Sequence, residues 1–96
     1  MPGKIRPAIV IQTNSLNKVG HPSTLVIPVS SKEFKNTSIL RIRLEASALN
    51  GLEKTSFGVL DQLTAIDNNK IQRRLGELEN SSKDAIIYGL KSIFDL

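Results

Sequence analysis

The stretch "TSILRIRLE", Thr37 to Glu45, limits the possible folds more than any other part of the chain. Leu40, Ile42 and Leu44 alternate with Arg41 and Arg43, the period of two that belongs to a β-strand. A helix would spread these five side chains around its circumference. A strand collects the aliphatics on one face and the guanidinium groups on the other. It needs a core beneath and water above, as in an antiparallel sheet whose solvated face is basic.

Other segments read the same way. "PAIVIQT" (Pro7 to Thr13) is a β-rich run opening on proline, which a strand tolerates at its first position. It is apolar on both faces, as a strand inside a barrel should be. Asn14 to Pro22, "NSLNKVGHP", is loop chemistry. "STLVIPVSS" (Ser23 to Ser31) reads as a second strand, with Pro28 restricting it to an edge, a bulge or its last turn. Ala48 to Ser56 is a turn around Asn50-Gly51, and "FGVLDQLTAID" (Phe57 to Asp67) reads as one further strand interrupted by Asp61-Gln62. "NNKIQRRLGELE" (Asn68 to Glu79) suggests a short helical turn and then a short strand ending near Leu78.

The end of the chain is helical. Ser81 or Ser82 can cap the helix, with Asp84 in its first turn, and Ile86, Leu90, Ile93 and Phe94 form one apolar stripe. Short strands with one terminal helix predict a mainly β domain, a small antiparallel barrel or half-barrel closed by that helix. At 96 residues the chain makes one domain, 1–96, with no room for a second.

Composition narrows the chemistry. No apolar run approaches the ~18 residues of a membrane span and no signal-like segment opens the chain, so no membrane association and a cytoplasmic location are expected. The sequence has no cysteine and a single histidine, His21, which excludes thiolate and multi-histidine metal sites. A net charge of +4 invites a polyanion without naming one. Aromatics at 4% are too few for a base-stacking sheet.

Individual candidates are ordinary alone. Arg6 follows Lys4 closely and precedes Pro7, which fixes the backbone at the strand entrance. Ser30 and Ser31 close the second strand, where hydroxyls usually bond the backbone. A carboxylate such as Asp61 in a barrel strand must be paired or exposed. His21 reads as plain loop and Arg73-Arg74 as a solvated face.

Taken in order, "GKIRPAIVIQ", "LVIPVSS", "FGVLDQLTAID", "RRLGELE" and a terminal helix resemble the MazF/PemK/Kid family of toxin endoribonucleases from toxin–antitoxin modules. The Gly-x-x-Arg-Pro opening and the "DQLTAID…LGEL" block are the most specific parts. The resemblance implies an SH3-like (CcdB/PemK-type) barrel with a C-terminal helix, acting as a homodimer. It implies cleavage of single-stranded RNA at short motifs by the ribose 2′-hydroxyl, with no metal and no cofactor. It places the family's arginine on Arg6, its catalytic threonine on Ser30 and its aspartate on Asp61, while Val59 stands where some members carry a second arginine. Lys4, Ser31, Lys32, Phe34 and Lys35 are the RNA-binding candidates around them, and Arg41 and Arg43 extend the basic surface. The implied protein partner is a cognate antitoxin with an acidic, disordered tail.

The family also carries a strand and a loop ahead of Gly-x-x-Arg-Pro, for which this sequence has no counterpart. The expectation is a shortened form, its barrel incomplete at the N-terminus. Two alternatives follow: a catalytically weak member that binds antitoxin or nucleic acid without cutting, and a gyrase-directed toxin on the same barrel. The latter would present "SIFDL" (Ser92 to Leu96) as an apolar contact tail.

Overall fold

The structure, a computed structural model, describes residues 6–11, 20–32 and 40–96. Among the described residues, five strands and one α-helix follow in chain order: β1 (Ala8–Val10), β2 (Ser23–Ser30), β3 (Arg41–Leu44), β4 (Ser56–Val59), β5 (Thr64–Asp67) and α1 (Asn80–Phe94). Every pairing is antiparallel, and the strand order is β1-β2-β4-β3 with β5 also on β2. The mainly β fold with a C-terminal helix is thus the one expected.

β2 organises the sheet. Along one side it pairs with β1. Along the other, Ser23 to Val26 pair with β5, whereas Val29 and Ser30 pair with β4. Pro28 falls between those two ladders. It is therefore neither at an edge nor in a final turn, as expected from proline's missing donor, but inside the central strand. Alternation explains why this is tolerated. The Val29 N–H turns toward β1, where it donates to the Pro7 carbonyl at 3.1 Å, so the missing N–H of Pro28 faces the gap where β5 has left and β4 has not begun.

The main core cluster lies on one side of the sheet, and Val26, Phe57 and Val59 are buried on the other. Ile9, Ile27, Val29, Leu44, Leu60 and Ile86 form the cluster, with Ile42, Leu90 and Ile93 packed at its margin. Ile27, Leu44 and Leu60 are fully buried, each contributing about 1.5–3 kcal/mol, which outweighs any exposed ion pair in the molecule. In β3, Leu44 is buried and Arg43 exposed, as the alternation requires. β1 is less buried than its sequence suggests, because Ile9 faces the core while Val10 is 54% exposed.

Further expectations change. Phe57 to Asp67 is not one strand, because a 3₁₀ turn at Leu60–Gln62 separates β4 from β5. Asp61-Gln62 sits at that break, exposed, where the two polar residues meet water instead of interrupting a ladder. Asn68–Lys70 is a helical turn, but no strand follows it up to Leu78. That segment instead lies against the Asn50 turn, where Glu77 N–H donates to the Leu49 carbonyl at 2.9 Å. The approach is so close that a Cβ on Gly51 would collide with the Leu75 carbonyl, and one on Gly76 with that of Leu49. Gly51 also has φ +71, which disfavours any side chain there.

The helix begins earlier than the serines imply. Glu79 is its N-cap, without a side-chain cap bond, and Ser81, Ser82 and Asp84 lie inside it. The Glu79 carboxylate turns outward to accept from Ser47 Oγ at 2.5 Å and Asn50 Nδ2 at 3.2 Å. The start of α1 is therefore set by a turn some thirty residues upstream. Ile86 is buried and Leu90 and Ile93 partly so, but Phe94 is 53% exposed and falls outside the inward stripe.

Candidate functional site

Register brings the main candidates together. Ala8 pairs with Pro28, Ile9 with Ile27 and Val10 with Val26. The Val29–Pro7 bond carries that ladder one residue further, so Arg6 comes level with Ser30 at the open end of β2. On the other side of β2, Ser30 pairs with Phe57, and Phe57 pairs with Arg43. A row Arg6–Ser30–Phe57–Arg43 therefore crosses the sheet with the strand spacing of about 5 Å. Directly opposed residues share a face, so Ser30, Phe57 and Arg43 project to the same side. Phe57 is buried and forms the floor of the row, Ser30 is half-buried, and the two arginines are exposed.

Local chemistry holds this row in place. Ser30 Oγ accepts a hydrogen bond from the Lys32 backbone N–H at 3.1 Å, which fixes the oxygen and leaves its O–H able to donate elsewhere. Ser31 and Lys32 then leave the strand exposed. Among the described residues Arg6 makes no hydrogen bond or ion pair, and it is exposed. Arg43 Nε donates to Glu45 Oε2 at 2.7 Å, and Thr55 Oγ1 donates to Glu45 Oε1 at 3.0 Å. These bonds, Arg43's first, hold the Glu45 carboxyl below the ordinary carboxylate range.

Asp61 is placed apart from the pair. Its turn follows β4, which runs antiparallel to β2, so it comes four residues after Phe57, the residue paired with Ser30. It makes no hydrogen bond or ion pair among the described residues. Lys4, Phe34 and Lys35 lie outside the described residues. Among the described residues no group of three or more His, Cys, Asp or Glu could hold a metal ion, and no helix is long and apolar enough to cross a membrane.

Sequence reasoning missed two polar assemblies. At the far end of β2, Asn68 accepts from Thr24 Oγ1 at 2.5 Å and donates from Nδ2 to the His21 carbonyl at 2.7 Å. His21 Nδ1 donates to the Ser23 carbonyl at 2.8 Å, so the histidine read as plain loop in fact braces that loop. Around Asn50, Nδ2 also reaches the Glu45 carbonyl at 2.8 Å, and Oδ1 accepts the N–H groups of Ser47 at 3.1 Å and Leu52 at 2.9 Å. The Asn50-Gly51 pair signalled the turn, but nothing local signalled its link to Glu79.

Comparison with known proteins agrees with this architecture. Residues 1–94 match the family model described as PemK-like, MazF-like toxin of type II toxin–antitoxin system. A probable endoribonuclease MazF of Mycolicibacterium smegmatis is 29% identical over 76 residues, covering 79% of this chain and 67% of that protein. The Mycobacterium tuberculosis toxin MazF-mt6 superimposes with a TM-score of 0.82 at 22% identity, over 97% of this chain and 89% of that one. An endoribonuclease in complex with its cognate antitoxin from Mycobacterial species gives 0.82 at 14% identity, over 100% and 86%. A MazE–MazF structure from Deinococcus radiodurans gives 0.75 at 20% identity, over 95% and 83%. With its match to the family model running almost end to end, the chain belongs to the PemK-like, MazF-like toxins of type II toxin–antitoxin systems.

Proposed function

We propose that this toxin is an endoribonuclease that cleaves single-stranded RNA without a metal, using Arg6 and Ser30. The observation that carries the reading is their common level at the end of β2, one an exposed guanidinium and the other an oriented hydroxyl. In the reaction the 2′-oxygen bonds to phosphorus as the bond to the 5′-oxygen breaks. A cyclic phosphate and a 5′-hydroxyl result, the 2′ proton passing to solvent and another returning to the leaving oxygen. Negative charge builds on the non-bridging oxygens, and a guanidinium fork meets it with two parallel donors. Arg6 stays charged at any usable pH, so it stabilises charge and does not transfer the proton. Ser30 donates to a phosphate oxygen or orients the attacking hydroxyl. Asp61 is the carboxylate nominated to orient or deprotonate the attacking hydroxyl, a weaker assignment than the other two because its turn lies further along the sheet.

The name of the M. smegmatis relative supports the nuclease reading, and the antitoxin-bound neighbours support an antitoxin as partner. An acidic tail would neutralise the charges RNA needs, so antitoxin and RNA should exclude each other. A homodimer fits a barrel that leaves Val10, Ile87 and Phe94 exposed. One observation favours a second reading, a protein-directed toxin on the same fold: Phe94 and Leu96 are 53% and 89% exposed at the end of α1. Incubation with a long single-stranded RNA and excess chelator separates the two. Discrete cleavage products support the nuclease. Intact RNA, or cutting only on added magnesium, overturns it.

A further inference from the structure

The row that brings Arg6 to Ser30 continues to Arg43, and there it carries a second cation onto the same face as the Ser30 hydroxyl. We propose that Arg43 binds an RNA phosphate next to the scissile one, with Glu45 orienting its guanidinium and competing with RNA for it. The inference rests on the nuclease reading of Arg6 and Ser30 and adds the path of the strand: across β2, β4 and β3, from Arg6 toward Arg43.

Three observations converge on Arg43. Its position is two strand spacings from Ser30, about 10 Å, too far for the same phosphate but within reach of a neighbouring one. Phe57, between them, is buried and so presents no ring for stacking. The Arg43 side chain is 61% exposed, and only its Nε is engaged by Glu45, leaving the terminal nitrogens able to form a two-pronged contact with phosphate.

Arg74 supplies the contrast. It pairs with Glu77 at 2.9 Å and is 72% exposed, so exposure and an acidic neighbour do not by themselves distinguish Arg43. Arg74 lies in the segment between the Asn68–Lys70 turn and α1, off every strand, and no register connects it to Ser30. An exposed ion pair contributes little to stability, so loss of Arg43 should leave the fold intact.

The test is the affinity of a labelled single-stranded RNA of mixed sequence, with every 2′-hydroxyl methylated to prevent cutting, measured across a salt series. Arg43→Gln should weaken binding roughly threefold to tenfold and reduce the salt slope by about 0.7, the contribution of one phosphate contact on a single strand. Arg43→Lys should restore the slope and only part of the affinity. Glu45→Gln should tighten binding in the parent chain and have no effect in the Arg43→Gln background, whereas a general charge effect would persist in both. Arg74→Gln should bind as the parent does.

Parent affinity and parent slope in Arg43→Gln would overturn the proposal. Cleavage of unmodified RNA, lost in Arg6→Ala, is read in parallel. Its persistence beside unchanged Arg43→Gln binding would remove Arg43 from the interface and leave the nuclease standing. A parent chain that neither binds nor cuts RNA would overturn both.

Discussion

Around Asn50 the polar atoms have found partners, whereas around Arg6 and Ser30 few of the side-chain donors have one among the described residues. Asn50 is 6% exposed and bonds to Glu45, Ser47, Leu52 and Glu79, joining the loop after β3 to the N-cap of the helix. Arg6, Ser31 and Lys32 are exposed, and the single bond at Ser30 orients its oxygen. The first region stabilises the fold because buried polar groups are costly unless satisfied. In the proposed reading, the second keeps its hydrogen-bonding capacity for a ligand. The lesson is that polar residues of similar type divide by satisfaction, with structural work where partners are complete and binding where donors are held in place but unused.

The sharpest way to break that division is at Arg6. Arg6→Ala should lower RNA cleavage by ~10²–10³-fold, the usual cost of deleting one oriented donor to a developing oxyanion. The melting temperature should hardly move, and Arg6→Lys should recover little. A folded Arg6→Ala variant cutting at full rate would mean that the arginine is solvated decoration.

The opposite result is expected at Asn50. Asn50→Ala strands the Ser47 and Leu52 N–H groups and the Glu45 carbonyl, and should destabilise the domain by roughly 2–3 kcal/mol in denaturant unfolding. Cleavage per folded molecule should stay near that of the parent. A stable but inactive Asn50→Ala would merge the two regions into one.

These contrasts also mark what the sequence made legible. The alternation of Leu40 to Leu44, the Asn50-Gly51 turn and the helical stripe at Ile86, Leu90 and Ile93 are local signals, and the structure follows them. The Arg6–Ser30 relation came through the family resemblance, and only the β1–β2 register gives it a geometry. What stayed hidden depends on residues far apart in sequence. Pro28 looked like an edge residue because the change of partner along β2 involves β4 and β5, both downstream. Glu79 did not look like a cap because its partners, Ser47 and Asn50, lie 32 and 29 residues away. The 71–79 segment looked like a strand, yet contact with the backbone around Gly51 decides its course.

A smaller effect sharpens the comparison within the site. Ser30→Ala should slow cleavage about tenfold, since the hydroxyl supplies one neutral donor where Arg6 supplies a charged fork. Ser30→Thr keeps the hydroxyl and should remain near normal. Slow cleavage by both would point to packing at that position instead of hydrogen bonding.

The smallest effect is a pH dependence in the satisfied region. Ser47 first, with the residue's own backbone N–H, holds the Glu79 carboxyl below its ordinary value. A depressed pKa in the folded chain adds stability above the unfolded value, and that stability is lost as pH falls through the folded one. Acid should therefore loosen the Asn50–Glu79 junction, and Glu79→Gln should show a shallower fall in melting temperature across the same acid range. Identical acid profiles would place the titrating group elsewhere.

The central claim is tested most directly on the substrate. A single-stranded RNA with one mapped cleavage site, kept in excess chelator, should be cut by the parent chain and left intact when the ribose 5′ to the scissile phosphate is replaced by its 2′-deoxy form. Binding of the two oligonucleotides should be nearly equal, since only the nucleophile is missing. Cleavage of the deoxy-substituted strand at the same position would contradict attack by the 2′-hydroxyl and the roles given to Arg6 and Ser30.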